Sequence, residues 1–273
     1  DSGEIDDLQS HQIPKGNLNK GNTYYARSRI KTNGNLWSPW SSGFEFDVIQ
    51  QTNILNSFST PGNIPWGVVI NSSGNLISTS FNESTNQAKI HIHDGISATT
   101  TSNFDISYAS TGITIDSSGN LIGIDSGSLN SKGTINVHSG ISSTITNNFS
   151  TPDSTSIGLI IDSNDNLISS DSGTDKIYVH QGISSTITTS FSSPGNLPTG
   201  LTIDSNGNLI SIDGGKIHIH DGISSTTKSN FDIPDLGVFN PALGLTIDSN
   251  GNLILVGRDN NNGSGKIFII ELL

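Results

Sequence analysis

The sequence predicts an all-β fold, a five-bladed β-propeller with an N-terminal strand closing the last blade. Three observations carry the prediction. A motif recurs five times at a spacing of about 44 residues; every copy holds a turn of the same chemistry; and the last copy lacks one strand, which reappears ahead of the first copy.

The motif is clearest as GLTIDSNGNLIS, residues 200–211. Related copies start at Gly67 (GVVINSSGNLIS), Gly112 (GITIDSSGNLIG), Gly158 (GLIIDSNDNLIS) and Gly244 (GLTIDSNGNLIL), in steps of 45, 46, 42 and 44 residues. A second block follows each: KIHIHDGIS from Lys89, TINVHSGIS from Thr134, KIYVHQGIS from Lys176, KIHIHDGIS from Lys216 and KIFIIELL from Lys266. A third block, such as TITTSF over 186–191, completes the unit. Each unit therefore reads as four short strands, a to d.

The turns support that reading. Strands a and b are joined by Ser73-Gly74, Ser118-Gly119, Asn164-Asp165, Asn206-Gly207 and Asn250-Gly251. Such pairs tolerate positive φ and predict a type I′ hairpin turn. Gly95, Gly140, Gly182 and Gly222 mark the c–d turns.

Closure follows from the ends of the array. The fifth copy reaches Leu273 after strand c, and residues 53–61 (NILNSFSTP) align with the d block at 186–194. A strand d supplied from ahead of the first copy removes the open edges of an unclosed array. The alternative is a slice of a longer array.

Composition fits short strands and tight turns. Apolar residues make up 32% and charged residues 13%, and polarity comes from Ser, Thr, Asn, Asp and Gly. A net charge of −12 with no Lys/Arg run makes nucleic acid and anionic membrane poor partners, and no apolar stretch is long enough to span a bilayer. Cysteine is absent, which removes disulfides and thiolate metal sites. Methionine is absent too, so Asp1 is expected to be a processed end or the start of a fragment.

The repeat resembles the NHL/YVTN-type propellers of secreted and surface proteins of bacteria, archaea and their viruses, through G-[LI]-[TV]-[IV]-D-x-x-G-N-L followed by K-I-x-[IV]. The resemblance implies a fold and names no activity. Residues 23–48 (TYYARSRIKTNGNLWSPWSSGFEFDV) resemble the last two strands of a fibronectin type III domain, with a WSxWS element at 37–41. Strands are expected over 24–32 and 43–48. Arg27 and Arg29, two apart on one strand face, are placed to stack with Trp37 and Trp40. Only the C-terminal half of that fold is covered, so its remaining strands are expected from residues before Asp1 or from another chain. The division is 1–50 for this partial segment and 51–273 for the propeller.

Several residues invite chemistry. Asp116, Asp162, Asp204 and Asp248 head turns that look like the start of a calcium loop but lack its far acidic residue, and side-chain-to-backbone bonding explains them, with Asn71 in the first copy. His91/His93 and His218/His220 are pairs on strand c, and His138 and His180 stand at the second of those positions, where the fifth copy has Ile270. Equivalent positions in different blades spread around a ring instead of converging on a metal, so packing between blades is the expected role. The innermost strands carry Val69, Thr114, Ile160, Thr202 and Thr246, none charged, and no nucleophile elbow, phosphate loop or zinc-protease motif occurs. No catalytic residue, metal or cofactor is assigned.

Binding is expected on one face. In an up-and-down blade the a–b and c–d turns share a face, which is nearly uniform between copies. The b–c and d–a connections share the other, which differs in every blade. Its aromatics Trp66, Phe81, Tyr108 and Phe239, with acids including Asp259, suit sugar rings. Loop anchoring is the bland alternative for Trp66 and Phe239.

The function expected from sequence is non-enzymatic recognition or adhesion outside the cell, on a microbial surface or a virion. The partner would be a cell-surface glycan or protein polymer, with homo-oligomer or fibre neighbours possible. The alternative is a structural coat, sheath or fibre-decorating protein.

Overall fold

The structure, a computed structural model, describes residues 23–27, 29, 31, 36–47, 52–62, 64–82, 84–126, 131–233, 238–259 and 264–272. The chain divides into two compact units, Asp1–Gln51 and Thr52–Leu273.

In the first unit, β1 (Thr23–Ala26) pairs antiparallel with β2 (Phe44–Asp47), and Lys31 bridges Trp37. The Arg29 guanidinium lies 4.4 Å from the Trp37 ring centre and 4.5 Å from that of Trp40. Arg27 stands 5.2 Å from Trp40, and the Lys31 ammonium 5.3 Å from Trp37. Cations on alternate residues of one chain segment thus interleave with the two indoles, as the spacing predicts. Positions 28, 30, 32 and 48 of the two expected strands lie outside the described residues.

The second unit is a propeller of five antiparallel four-stranded sheets. Blade 1 is β4 (Ile64–Ile70), β5 (Leu76–Asn82), β6 (Gln87–His93) and β7 (Thr100–Ile106). Blade 2 is β8 (Ser110–Ile115), β9 (Leu121–Asp125), β10 (Thr134–His138) and β11 (Ile145–Ser150). Blade 3 is β12 (Ser156–Ile161), β13 (Leu167–Asp171), β14 (Lys176–His180) and β15 (Ile187–Ser192). Blade 4 is β16 (Leu201–Ile203), β17 (Leu209–Asp213), β18 (Lys216–His220) and β19 (Thr227–Asp232). Blade 5 is β20 (Val238–Ile247), β21 (Leu253–Asp259) and β22 (Gly265–Leu272), completed by β3 (Thr52–Ser59) from the other end of the unit.

The clasp strand β3 is a full fourth strand. It pairs with β22 from Ser59↔Lys266 to Thr52↔Leu272, with a bulge between Ile269 and Ile270. The four covalent c–d hairpins bulge at the equivalent step, between Ile92/His93, Val137/His138, Val179/His180 and Ile219/His220. The break in the chain therefore leaves the ladder geometry of the blade unchanged.

The core lies between blades. Among the described residues five apolar clusters occur, one at each seam between neighbouring sheets. The cluster joining blades 5 and 1 contains Val68 and Leu76 beside Ile254, Val256 and Ile267, with Phe58 of the clasp packed against it. Flat blades of five or six residues per strand have no core of their own, so each is stable only between two neighbours.

Two expectations need correction. The a–b turn is not type I′, since only its third loop residue has positive φ: Gly207 at 78°, and Asp165, without glycine's freedom, at 58° in blade 3. The Asp204 N–H donates to the Asn208 carbonyl and the Gly207 N–H to the Asp204 carbonyl, both at 3.0 Å, which makes a three-residue loop ending in a left-handed residue. The strands on the variable face also run further than the repeat implies. β4 starts at Ile64 and β20 at Val238, each continuing through a bulge before Val68 and Gly244. Trp66, Phe81 and Phe239 thus stand on strand extensions instead of in loops.

Candidate functional site

The two faces differ in how their polar groups are used. On the turn face, Asp204 Oδ1 accepts the N–H groups of Asn206 (2.9 Å) and Asn208 (2.8 Å), and Asn208 Nδ2 donates to Asp204 Oδ2 at 2.9 Å. Burial of Asp204 opposes ionisation, but the bonds from Asn208 and Asn206 outweigh it and hold its carboxyl below the ordinary 3.8. Asp116, Asp162 and Asp248 repeat the arrangement, and Asn71 accepts the same two N–H groups. These carboxylates close their own turns. The turn asparagine then reaches the neighbouring c–d turn, as Asn75, Asn120, Asn166 and Asn208 Oδ1 accept the N–H of Gly95, Gly140, Gly182 and Gly222 at 2.9–3.1 Å. That bond fixes both turns on one face.

On the opposite face, blades 3 and 4 are tied by the aspartate that ends strand b. In blade 3, Asp171 is fully buried and accepts from Thr155 of the d–a connection, from Ser156 at the start of β12 and from Gly173 and Thr174 of the b–c loop. In blade 4, Asp213 is buried and takes the Gly195 N–H at 2.6 Å. Both aspartates are therefore clamps between connections of this face.

The axis is closed. Gly67, Gly112, Gly158, Gly200 and Gly244, each with the residue after it, surround a void of about 10 Å³, room for one water at most. A methyl group on Gly112 would strike the Ile157 carbonyl, on Gly158 the Thr199 carbonyl, and on Gly244 the Trp66 carbonyl, so each glycine packs against the backbone of the next blade. Bonds reinforce the ring: Thr79 Oγ1 accepts from Gly67 N and donates to Ser110 O, and Ser170 Oγ accepts from Gly158 N and donates to Thr199 O. Sequence reasoning looked for charge on the inner strands and missed that backbone contact fills the channel. The glycine heading every copy was the signal. Gly158→Val is expected to cost about 3 kcal/mol by overpacking, read as a lowered urea midpoint, whereas Gly207→Asn, at a turn open to left-handed asparagine, should stay within about 1 kcal/mol.

The histidines lie in the seams. His93, His180 and His220 are fully buried, and each Nε2 accepts from a strand-b serine: Ser78 at 2.9 Å, Ser169 at 3.0 Å and Ser211 at 2.9 Å. Each Nδ1–H donates at 2.7 Å to a turn carbonyl, of Ser97, Ser184 or Ser224. The imidazole faces a phenylalanine of the preceding blade: Phe58 for His93, Phe149 for His180 and Phe191 for His220, at 6.1–6.4 Å and 57–59°. Blade 2 has Gly123 in place of the serine, and the Tyr108 hydroxyl fills that space and meets His138 Nε2 at 2.7 Å. Blade 5 replaces the whole pair with Leu255 and Ile270, both fully buried. A serine–histidine pair resembles a catalytic dyad on paper, yet here it is sealed, repeated three times and exchangeable for two aliphatics.

Of the residues singled out for binding, the structure brings Trp66 and Phe81 together. Their rings stack at 5.1 Å and 13°, both half-buried, where blade 1 meets the variable face. Tyr108 points inward: burial raises its pKa, with Asp125 adding and a bond to Ser110 opposing, so the phenol stays protonated as a seam group. Phe239 pairs with Arg258 and Asp259 with Val238 in the β20–β21 ladder, and their side chains lie outside the described residues. Among the described residues no group of three or more His, Asp or Glu converges on a point.

No protein-family model and no curated protein matches the chain. Among solved structures, that of Myxococcus xanthus glutaminyl cyclase is similar with a TM-score of 0.63 at 16% identity, over 81% of this chain and 96% of that one. The WD40 β-propeller domain of Doa1 is similar at TM-score 0.47 and 12% identity, over 76% and 78% of the two chains. Virginiamycin B lyase from Staphylococcus aureus is similar at TM-score 0.47 and 13% identity, over 80% and 73%. At these identities the likeness is one of fold, and a propeller fold carries no single activity.

Proposed function

We infer that the protein is a non-enzymatic recognition or adhesion module acting outside the cell, at a microbial surface or on a virion. It binds a cell-surface glycan or another surface polymer through the variable face. The observation that carries this reading is the pairing of Trp66 with Phe81 on that face, opposite a face whose polar groups are spent on its own turns. The outer side of such a stacked aromatic pair suits the apolar side of a sugar ring. One similar structure is that of an enzyme, glutaminyl cyclase. Against enzymatic chemistry at the axis here stands the glycine ring, which leaves no space for a substrate. We read the repeats as NHL/YVTN-like and the leading segment as fibronectin type III-like, a spacer supported by its Arg–Trp stacking.

The test is retention on immobilised surface polysaccharides together with a glycan array. Trp66→Ala and Phe81→Ala are expected to weaken retention about tenfold each, by loss of one stacking contact of about 1.4 kcal/mol. Asn206→Ser and Asn250→Ser, on the turn face, should leave it unchanged. Silence on the array, with no effect from any of the four, would replace this reading with that of a structural coat or fibre decoration.

A further inference from the structure

The stacked pair on the variable face has a polar counterpart across the seam. Phe81, near the end of β5, packs on the cluster that joins blade 1 to Ile113 and Leu121 of blade 2. The facing side of blade 2 is marked by Gly123, where a methyl group would strike the Tyr108 hydroxyl in that same seam. Side chains alternate along a strand, so Asp125, two residues on at the end of β9, faces the seam at its variable-face end. Asn136 of β10 is the ladder partner of Gly123 and stands on the same side. Backbone contacts tie this corner to the aromatic pair. The Thr79 hydroxyl accepts the N–H of Gly67, next to Trp66, and donates to the carbonyl of Ser110, the ladder partner of Asp125.

Other blades use the same two positions differently. In blade 1 they hold Ser80 and His91, which bond each other at 2.8 Å. In blade 3 the aspartate is the sealed Asp171, and in blade 4 it is Asp213, buried beneath Gly195. Asp125 is the half-buried member of the series, on the seam that the aromatic pair occupies. Asn136 is only 6% exposed, and its carboxamide has no hydrogen-bond partner among the described residues. A buried amide is costly to leave unpaired, so a group that completes it gains by doing so.

We propose that Trp66, Phe81, Asp125 and Asn136 form a site for an amino sugar. The aromatic pair takes the apolar side of the ring, the Asp125 carboxylate its ammonium group, and the Asn136 amide a neighbouring hydroxyl. This rests on the glycan-binding reading above and narrows it to polymers with free amines. The pairing of an indole face with a carboxylate selects that class, since both favour a cation. A neutral sugar would need the aromatic pair alone. An acidic polymer is disfavoured twice, by Asp125 and by the net charge of −12.

Calorimetric titration of the full chain at neutral pH and low salt tests the assignment, with a chitosan oligomer and its fully N-acetylated counterpart of equal length as probes. The free-amine oligomer is expected to bind about tenfold tighter, with the preference shrinking as salt is added. Asp125→Asn should bring the two affinities together, and Trp66→Ala should weaken both about tenfold. Equal or tighter binding of the N-acetylated oligomer, or a preference that survives Asp125→Asn, would overturn the amino-sugar assignment and leave polymer recognition through Trp66 standing. Lysine oligomers that bind as tightly as the chitosan oligomer would overturn it too, since the site would then read charge without a sugar ring. Binding of neither oligomer, with retention on some other polysaccharide, removes this inference alone. Retention on no polysaccharide removes the glycan-binding reading with it.

Discussion

Removal of residues 52–59 is expected to abolish the monomeric propeller. Those residues supply the whole outer strand of blade 5, so their loss bares the β22 ladder from Lys266 to Leu272 and opens the cover over Ile267 and Ile270, both fully buried in the intact fold. Phe58 goes with them, and with it the packing on His93 across the closing seam. A fully buried phenylalanine is worth about 3–5 kcal/mol; the half-buried Phe58 contributes part of that and the strand adds its ladder bonds, so the loss reaches the order of a whole domain's net stability. The open edge also invites pairing between chains. Size-exclusion chromatography should show aggregate in place of monomer, and a synthetic peptide of residues 52–60 added during refolding should restore monomer. A deletion variant that elutes as monomer and melts with the intact protein would refute the clasp.

This closure was legible in the sequence because it rests on a repeat. Residues 53–61 carry the same Phe-Ser-x-Pro ending as 186–194, and the structure pairs Phe58 with Ile267 as it pairs Phe191 with Ile177. The turn type was misread because Asn-Gly suggests a two-residue hairpin, while the Asp204 carboxylate, by capturing the N–H groups of both Asn206 and Asn208, selects a loop one residue longer. The strand extensions that carry Trp66, Phe81 and Phe239 lie outside the repeat, so no copy-to-copy comparison reached them. The serine–histidine pairs were hidden by separations of 9 to 15 residues, although the joint change to Leu255 and Ile270 in the fifth copy was the trace of a contact.

Mild acid is expected to unfold the propeller. His91, His93, His138, His180, His218 and His220 all have pKa values lowered from 6.5 by burial, that of His91 to about 4. In the unfolded chain the same imidazoles take up protons near pH 6.5. The unfolded state therefore binds more protons in this range, and stability falls as pH drops from about 6.5 toward the folded values. Each histidine contributes a slope of at most about 1.4 kcal/mol per pH unit, so six acting together set a ceiling of roughly 8 kcal/mol per unit. That is comparable with the stability of a typical domain. Asp204 acts in the same sense but at lower pH, since its lowered carboxyl surrenders stability as pH falls through its ordinary 3.8, which leaves the histidine window clear. Urea titrations at about pH 7, 6 and 5 should show the midpoint falling steeply at each step. The double substitution Ser211→Leu with His220→Ile, which copies the apolar pair of blade 5, should fold at neutral pH and lose about one sixth of the slope. Ser211→Leu alone should be worse than the double variant, because it strands His220 Nε2 without a donor in a sealed seam. Stability that stays level between pH 7 and pH 5 would mean that the seam histidines are solvated enough to titrate in the folded state, and the inter-blade packing described for them would be wrong.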